Sequence, residues 1–276
     1  MAIKLEGGCR VSGMREGECL TEGTLSIWHR IGHDTGTQAI SLRIMEFAPG
    51  QSPEIRNGDC DEILYVLNSE RDSEPGHPAR LSERRRRTLF TDQKARIRIN
   101  HRAYDIGPDT GMYVRPHETF AIDNPGPNSI VLISSRCPEP DTAPEFVASS
   151  ITPPSDAVPR RSPLVRLADR PAQPTADRWY RVLVDDEIGS TNATQFVGSI
   201  PPGRAPDHFH QYEEVLFILK GEGRMWAGDT NTMVGPGTCI YLPKGQVHCV
   251  ENTGKDELRL LGVFYPAGSP SVRYDA

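Results

Sequence analysis

The sequence predicts an all-β protein made of two similar domains. Three observations point there: many short strand-like stretches, an internal repetition, and a proline-rich seam near the middle. The strand-like stretches are 24–28, 40–47, 62–67, 95–99, 129–134, 179–184, 194–200, 214–219, 237–242 and 258–264. Each alternates or is rich in β-branched and aromatic residues, and each is bounded by Gly, Pro, Asn or Asp, the pattern of strands joined by turns. With 25 glycines and 24 prolines in 276 residues, turns must be frequent. No long segment keeps a 3.6-residue apolar period, so helices are not expected to carry the fold.

The repetition is visible in two pairs of segments. Asp61-Glu62-Ile63-Leu64-Tyr65-Val66-Leu67-Asn68 reads like Glu213-Glu214-Val215-Leu216-Phe217-Ile218-Leu219-Lys220, and Ala48-Pro49-Gly50 echoes Pro201-Pro202-Gly203. A duplication explains both pairs. Residues 138–178 hold nine prolines and little strand pattern, which reads as an extended linker. The expected organisation is therefore an N-terminal domain over 1–137, a linker over 138–178 and a C-terminal domain over 179–276. Landmark spacing also places an inserted loop in the first domain near 69–93, where Arg84-Arg85-Arg86-Arg87 reads as a solvated charge run.

Composition excludes several functions. The 31 Lys and Arg against 37 Asp and Glu give a net charge of −6, which offers nucleic acid or an anionic membrane no electrostatic attraction. The longest wholly apolar run, Val215-Leu216-Phe217-Ile218-Leu219, is far short of the ~20 residues of a spanning helix. The first residues show no secretion signal. Six scattered cysteines form no Cys-x-x-Cys pair, so neither a disulfide framework nor a thiolate zinc site is expected. A cytoplasmic protein is the expectation.

One constellation carries chemistry. His208 and His210 are two residues apart, so on a strand both imidazoles leave by one face. Glu214 follows after a short gap, and His248 follows the turn residues Pro243-Lys244-Gly245. If these segments lie side by side, three imidazoles and a carboxylate converge, a donor set that suits a divalent transition metal. The spacing G-x4-H-x-H-x3-E-x6-G from Gly203 to Gly221, followed by G-x5-P-x-G-x2-H-x3-N from Gly237 to Asn252, resembles the paired signature motifs of the cupin superfamily. It differs only by one residue fewer after Gly203.

The resemblance covers about 100 residues from Trp179 onward and implies a jelly-roll β-barrel with His208, His210, Glu214 and His248 as metal ligands. With the repeat, it implies two tandem cupin barrels. Matching Glu62 to Glu214 sets Arg56 and Gly58 at the positions of His208 and His210. Matching Pro116 to Pro243 sets Ala121 at the position of His248. The first barrel thus lacks three of four ligands and is left to packing, dimer formation or an organic ligand. His101 and His117 lack ligand-like spacing partners and read as exposed or structural.

The resemblance further implies a metal-dependent enzyme on a small molecule, with an iron(II) dioxygenase on an aromatic or dicarbonyl compound foremost. An isomerase, epimerase, cyclase or decarboxylase using manganese, nickel or zinc is the alternative, and a non-enzymatic small-ligand binder a further one. No catalytic residue beyond the ligands is assigned. Arg224, Trp226, Tyr241 and Arg259 are candidate pocket residues, with Tyr212 and Gln246 close to the ligands in sequence. Cys249, one residue from His248, is expected on the opposite strand face. A homodimer is expected, with neither nucleic acid nor membrane as partner.

Overall fold

The computed structural model of the protein describes residues 2–68, 94–148, 161–204 and 206–272, together with the backbone of 274–275. The expected inserted loop at 69–93, with its arginine run, lies outside the described residues. What is described is almost wholly β-strand, arranged as four antiparallel sheets, two to each barrel.

In the second barrel the central strands are Glu213–Lys220, Leu258–Tyr265 and Thr194–Ile200, hydrogen-bonded in that order within an eight-stranded sheet. The facing sheet holds Gly223–Ala227, His248–Asn252 and His208–Phe209. The first barrel repeats this with Asp61–Val66, Ile130–Cys137 and Leu42–Phe47 opposite Arg96–Ile99, Thr119–Asn124 and Glu54–Arg56.

Strand alternation decides which residues fill which core. Along Glu213–Lys220, Leu216 and Ile218 face the inside of their own barrel, with Phe196, Leu260 and Phe264. Val215, Phe217 and Leu219 face outward and pack against Ile63, Tyr65 and Leu67 of the first barrel. The two large sheets therefore form one shared core between the barrels, and Leu64 and Val66 fill the first barrel's interior. Burying Phe217 or Tyr65 completely, as here, contributes roughly 1.5–3 kcal/mol per side chain.

The same alternation gives the paired acids opposite duties. Glu62 and Glu214 point inward, while Asp61 and Glu213 face the other barrel. Glu213 accepts the backbone N–H of Gln38 at 2.8 Å and of Ala39 at 2.7 Å, both in the first barrel. The Tyr241 hydroxyl donates to the same carboxylate. Asp61 answers from the other side, accepting the Tyr113 hydroxyl at 2.6 Å and the Asn192 side chain at 2.9 Å.

Strand pairing also cuts the chain differently from the boundaries expected at 137 and 178. Arg10–Gly13 pairs with Thr238–Leu242 of the second barrel, and Leu164–Arg166 pairs with Thr110–Val114 of the first. Each repeat therefore lends its leading arm to the other barrel. Glu145–Val147 pairs with Glu54–Arg56, and Gln173–Thr175 with Arg178–Val184, so three short strands lie within the expected linker. Pro174 sits on the strand that ends the eight-stranded sheet, an edge position that tolerates proline.

Candidate metal centre

His208 and His248 lie directly opposite each other on paired strands, and His210 follows at the turn leading into Glu213–Lys220. The turn residue Gly245 joins the two regions: its N–H donates to the His210 carbonyl at 2.8 Å. Its φ of 79° favours glycine, and this turn sets His248 at the start of its strand. The three ring centroids stand 4.5, 5.0 and 5.3 Å apart, and one ring nitrogen from each falls within 4.8 Å of the others. Glu214 Oε2 lies 3.8 Å from His210 Nε2 and 3.7 Å from His248 Nε2.

Hydrogen bonds fix the tautomer of each ring. His208 Nδ1 meets the Pro206 carbonyl at 3.0 Å and His248 Nδ1 the Gln246 carbonyl at 2.8 Å. A carbonyl only accepts, so both Nδ1 atoms carry the proton. His210 Nδ1 meets the Tyr212 hydroxyl at 3.1 Å. That hydroxyl spends its one proton on the Ser269 carbonyl, also at 3.1 Å, and so accepts from His210. All three rings are thereby held with the lone pair on Nε2, the form that binds a metal.

Burial sets the electrostatics. It pushes the Glu214 carboxyl up to about 8. Burial, with His208 and His210 alongside, pushes His248 down to about 3. Glu214 Oε2 is buried without a hydrogen-bond partner among the described residues. Such an atom costs free energy unless a cation meets it. Three Nε2 lone pairs and an uncompensated carboxylate oxygen fit a divalent transition metal.

These four side chains stand at one side of a cavity of about 100 Å³ walled by Phe196, Leu216, Val250, Leu260 and Phe264, with Arg178, Trp179 and Tyr180 also contributing. Phe264 packs against the rings of Phe196, Tyr212 and His210 at 4.8, 4.3 and 5.6 Å. Gly262 makes this possible, since a Cβ there would lie 2.2 Å from the Phe196 ring.

The four candidate pocket residues are not among those lining the cavity, and strand parity is the reason. Met225 and Ala227 point inward, leaving Arg224 bonded to Asn231 at 2.5 Å and Trp226 to Glu251 at 2.8 Å. Ile240 and Leu242 point inward, leaving Tyr241 between the barrels. Arg259 pairs with Glu257 at 2.5 Å. Cys249 does sit opposite in parity to His248, buried, with Arg204 Nε 3.3 Å from its sulfur. Tyr212 is the residue whose part in the site was underestimated; its place two residues beyond His210 was the available signal.

In the first barrel the register corrects the landmark matching by one residue. Phe120 pairs with Ile55 where His248 pairs with His208. Asn124 repeats the bonds of Asn252: it donates to the Phe47 and Asn128 carbonyls, each at 2.9 Å, as Asn252 does to those of Ile200 and Asp256, each at 2.8 Å. Ile55, Asn57 and Phe120, not Arg56, Gly58 and Ala121, therefore occupy the positions of His208, His210 and His248. His117 is exposed beside Asp59 at 3.3 Å.

Two β-barrels in tandem, one of them gathering three imidazoles and a carboxylate at an interior cavity, define a bicupin. The second barrel belongs to the cupin superfamily: the Cupin_2 cupin-domain family matches residues 196–264. Over 74 residues the chain is 31% identical to auxin-binding protein 1 of Arabidopsis thaliana, covering 23% of this chain and 37% of that protein. Over 67 residues it is 33% identical to the oxalate-binding protein of Thermotoga maritima, covering 24% and 55%. The matches thus span about half or less of these relatives.

Among solved structures, one of oxalate decarboxylase superimposes with a TM-score of 0.70 at 13% identity, over 96% of this chain and 78% of the other. A deletion mutant of the Bacillus subtilis oxalate decarboxylase gives 0.69 at 14% identity, over 94% and 78%. Another structure of that enzyme, described through its Mn(II) centres, gives 0.71 at 13% identity, over 96% and 78%. At these identities the likeness is one of fold.

Proposed function

We propose that the chain is a mononuclear metalloenzyme that takes a small chelating organic compound into the second barrel and cleaves it with dioxygen. The observation that carries this reading is the set of three imidazoles locked with Nε2 lone pairs, beside a buried carboxylate oxygen that has no hydrogen-bond partner among the described residues, at a mainly apolar cavity. His208, His210, Glu214 and His248 would hold the metal. Four protein ligands leave open positions on a six-coordinate ion, which supplies Lewis acidity or, as iron(II), oxygen activation.

The remaining residues position and shield. Tyr212 holds the His210 ring through Nδ1 and against its face. Phe196, Leu216, Leu260 and Phe264 exclude water and favour a substrate with an apolar or aromatic body. Arg178, whose Nε lies 3.4 Å from Asp177, would turn its guanidinium toward a carboxylate on that substrate. Among the described lining residues, the only carboxylate and imidazoles are the four ligands. With proton transfer on the described lining left to the hydroxyls of Thr175, Tyr180 and Ser199, chemistry driven by dioxygen is favoured over chemistry that needs a strong general acid.

The second reading is redox-neutral decarboxylation with manganese, favoured by the fold likeness to oxalate decarboxylase. Here the hydroxyls of Thr175, Tyr180 and Ser199 are the described side chains placed to deliver a proton. Anaerobic purification, elemental analysis and electron paramagnetic resonance with nitric oxide separate the two. Stoichiometric iron giving a nitrosyl signal, with oxygen uptake matching product, supports the first. Manganese, with carbon dioxide released and no oxygen consumed, supports the second and overturns the first. His210→Ala should lose the metal and His117→Ala keep it; equal loss in both would refute the site. A cytoplasmic homodimer accompanies this proposal, the first supported by six unpaired cysteines and the second open to sedimentation analysis.

A further inference from the structure

The segment that follows the strand Leu258–Tyr265, residues 266–272, forms part of the wall of the second barrel's cavity. Pro270 lines that cavity, while Ala267, Gly268 and Ser269 line a neighbouring one of about 440 Å³, and Tyr180 touches both. None of the residues 266–272 is buried. A stretch with so little buried surface opens locally at low free-energy cost.

The segment is held at a defined place. Its Gly268 N–H donates to Thr194 Oγ1 at 3.2 Å. Its Ser269 carbonyl accepts the Val272 N–H at 3.0 Å and the Tyr212 hydroxyl at 3.1 Å. Gly268 comes so close to Tyr212 that a Cβ there would stand 2.4 Å from the ring. On its other side the Tyr212 ring stacks on His210, with centroids 4.8 Å apart and planes 11° from parallel. Further on, the backbone at 274–275 pairs with the strand His208–Phe209. The segment therefore runs from one site imidazole to the strand that carries another.

The Tyr212 hydroxyl has one proton to give. While it gives that proton to Ser269, it receives Nδ1–H from His210, and the Nε2 lone pair stays available. Released from Ser269, the hydroxyl can turn its proton to His210 Nδ1. The ring proton then sits on Nε2, and that tautomer cannot bind a metal there.

We propose that residues 266–272 form a strap whose closure, acting through Tyr212, selects the metal-binding tautomer of His210. Gly268 and Ser269 are positioning residues in this arrangement. By linkage, a metal at Nε2 holds the strap closed by as much as the closed strap favours the metal. Lifting the strap joins the two cavities and opens a path to the site. The proposal rests on the metal site put forward above.

Hydrogen exchange on the full-length protein tests it, read at the Gly268 and Val272 amides with those of Leu258–Tyr265 as the control. Without metal, the strap amides should exchange by local opening, well ahead of the control, and Tyr212→Phe should speed them about fivefold. Saturating Zn²⁺ should slow them about fivefold or more in the wild type and leave them unchanged in Tyr212→Phe saturated at higher Zn²⁺. If Tyr212→Phe does not fold, Gly268→Ala, which drives the strap off the ring from its own side, takes its place. Strap amides as slow as the control, equal metal-free rates in wild type and variant, or the same Zn²⁺ effect in both would each overturn the proposal. A wild type that binds no Zn²⁺ refutes the metal site instead, and the metal-free comparison then decides whether Tyr212 latches the strap.

Discussion

Metal binding should release close to one proton from Glu214 at neutral pH. Burial raises this carboxyl from an ordinary 4.5 to about 8, so at pH 7 the metal-free site carries roughly 0.9 proton there, and at pH 9 roughly 0.1. A coordinating carboxylate must give that proton up. His248, held near 3, adds nothing across this range. The same shift fixes the sign of the stability change. Because the folded pKa lies above the unfolded one, ionising Glu214 opposes folding. The cost is absent below pH 4.5, grows as pH rises and is complete above 8, at most about 5 kcal/mol. His248 acts in the other direction, since its folded pKa lies below 6.5; its penalty appears as pH falls from 6.5 toward 3. The two slopes oppose each other between 4.5 and 6.5, so the metal-free protein should lose stability mainly above 6.5. Calorimetric titration with a divalent metal in buffers of different ionisation enthalpy reads the proton count directly. The difference between wild type and Glu214→Gln isolates this residue. Equal proton release by both at pH 7 would refute the reasoning.

Three further changes test separate parts of the structure. Tyr212→Phe removes the acceptor of His210 Nδ1–H, so metal affinity should fall about tenfold to a hundredfold, measured by competition with a chelator; unchanged affinity would mean the tautomer is fixed by something else. Glu213→Gln leaves an N–H of Gln38 or Ala39 without its charged acceptor, and should cost about 1–3 kcal/mol in urea unfolding with metal stoichiometry unchanged. Gly245→Ala meets no atom within 4 Å, so its cost of about 1–2 kcal/mol should come from the backbone at φ 79° alone; a neutral result would remove that turn from the account of how His248 is placed.

The sequence was most informative where function constrains spacing and least where partners are distant along the chain. The convergence of His208, His210, Glu214 and His248 could be read because their spacing follows strand geometry, which is local. The partner of Glu213 could not, since Gln38 and Ala39 lie some 175 residues away and an acid beside a ligand looks like part of the same site. Arg224, Trp226, Tyr241 and Arg259 were chosen by chemical type, and strand parity overrode type. The matching of the first barrel slipped because four residues separate Asn57 from Glu62 and three separate His210 from Glu214; only the hydrogen-bond ladder shows where the extra one falls. The exchanged arms leave no local trace at all, because an antiparallel partner contributes nothing to the periodicity of the strand it joins.

The retained glutamates explain why one barrel can dispense with a metal. An ionised carboxylate buried at Glu214 or Glu62 requires a cation; Glu214, raised to about 8 by burial, holds a proton in its place until the proposed metal takes over. The first barrel supplies its own cation: Arg43 stands 2.5 Å from Glu62, held by Ser134. The substitution needs both partners, because the serine that anchors Arg43 occupies the position where Gly262 makes room for Phe196. An internal ion pair cannot dissociate when metal is scarce, so the first barrel keeps its interior charge compensated without metal. Through Arg10–Gly13 it also lends a strand to the sheet that carries Glu214. The altered copy is thus tied by strand pairing to the barrel of the proposed metal site, and its own buried carboxylate is met by Arg43 without a metal.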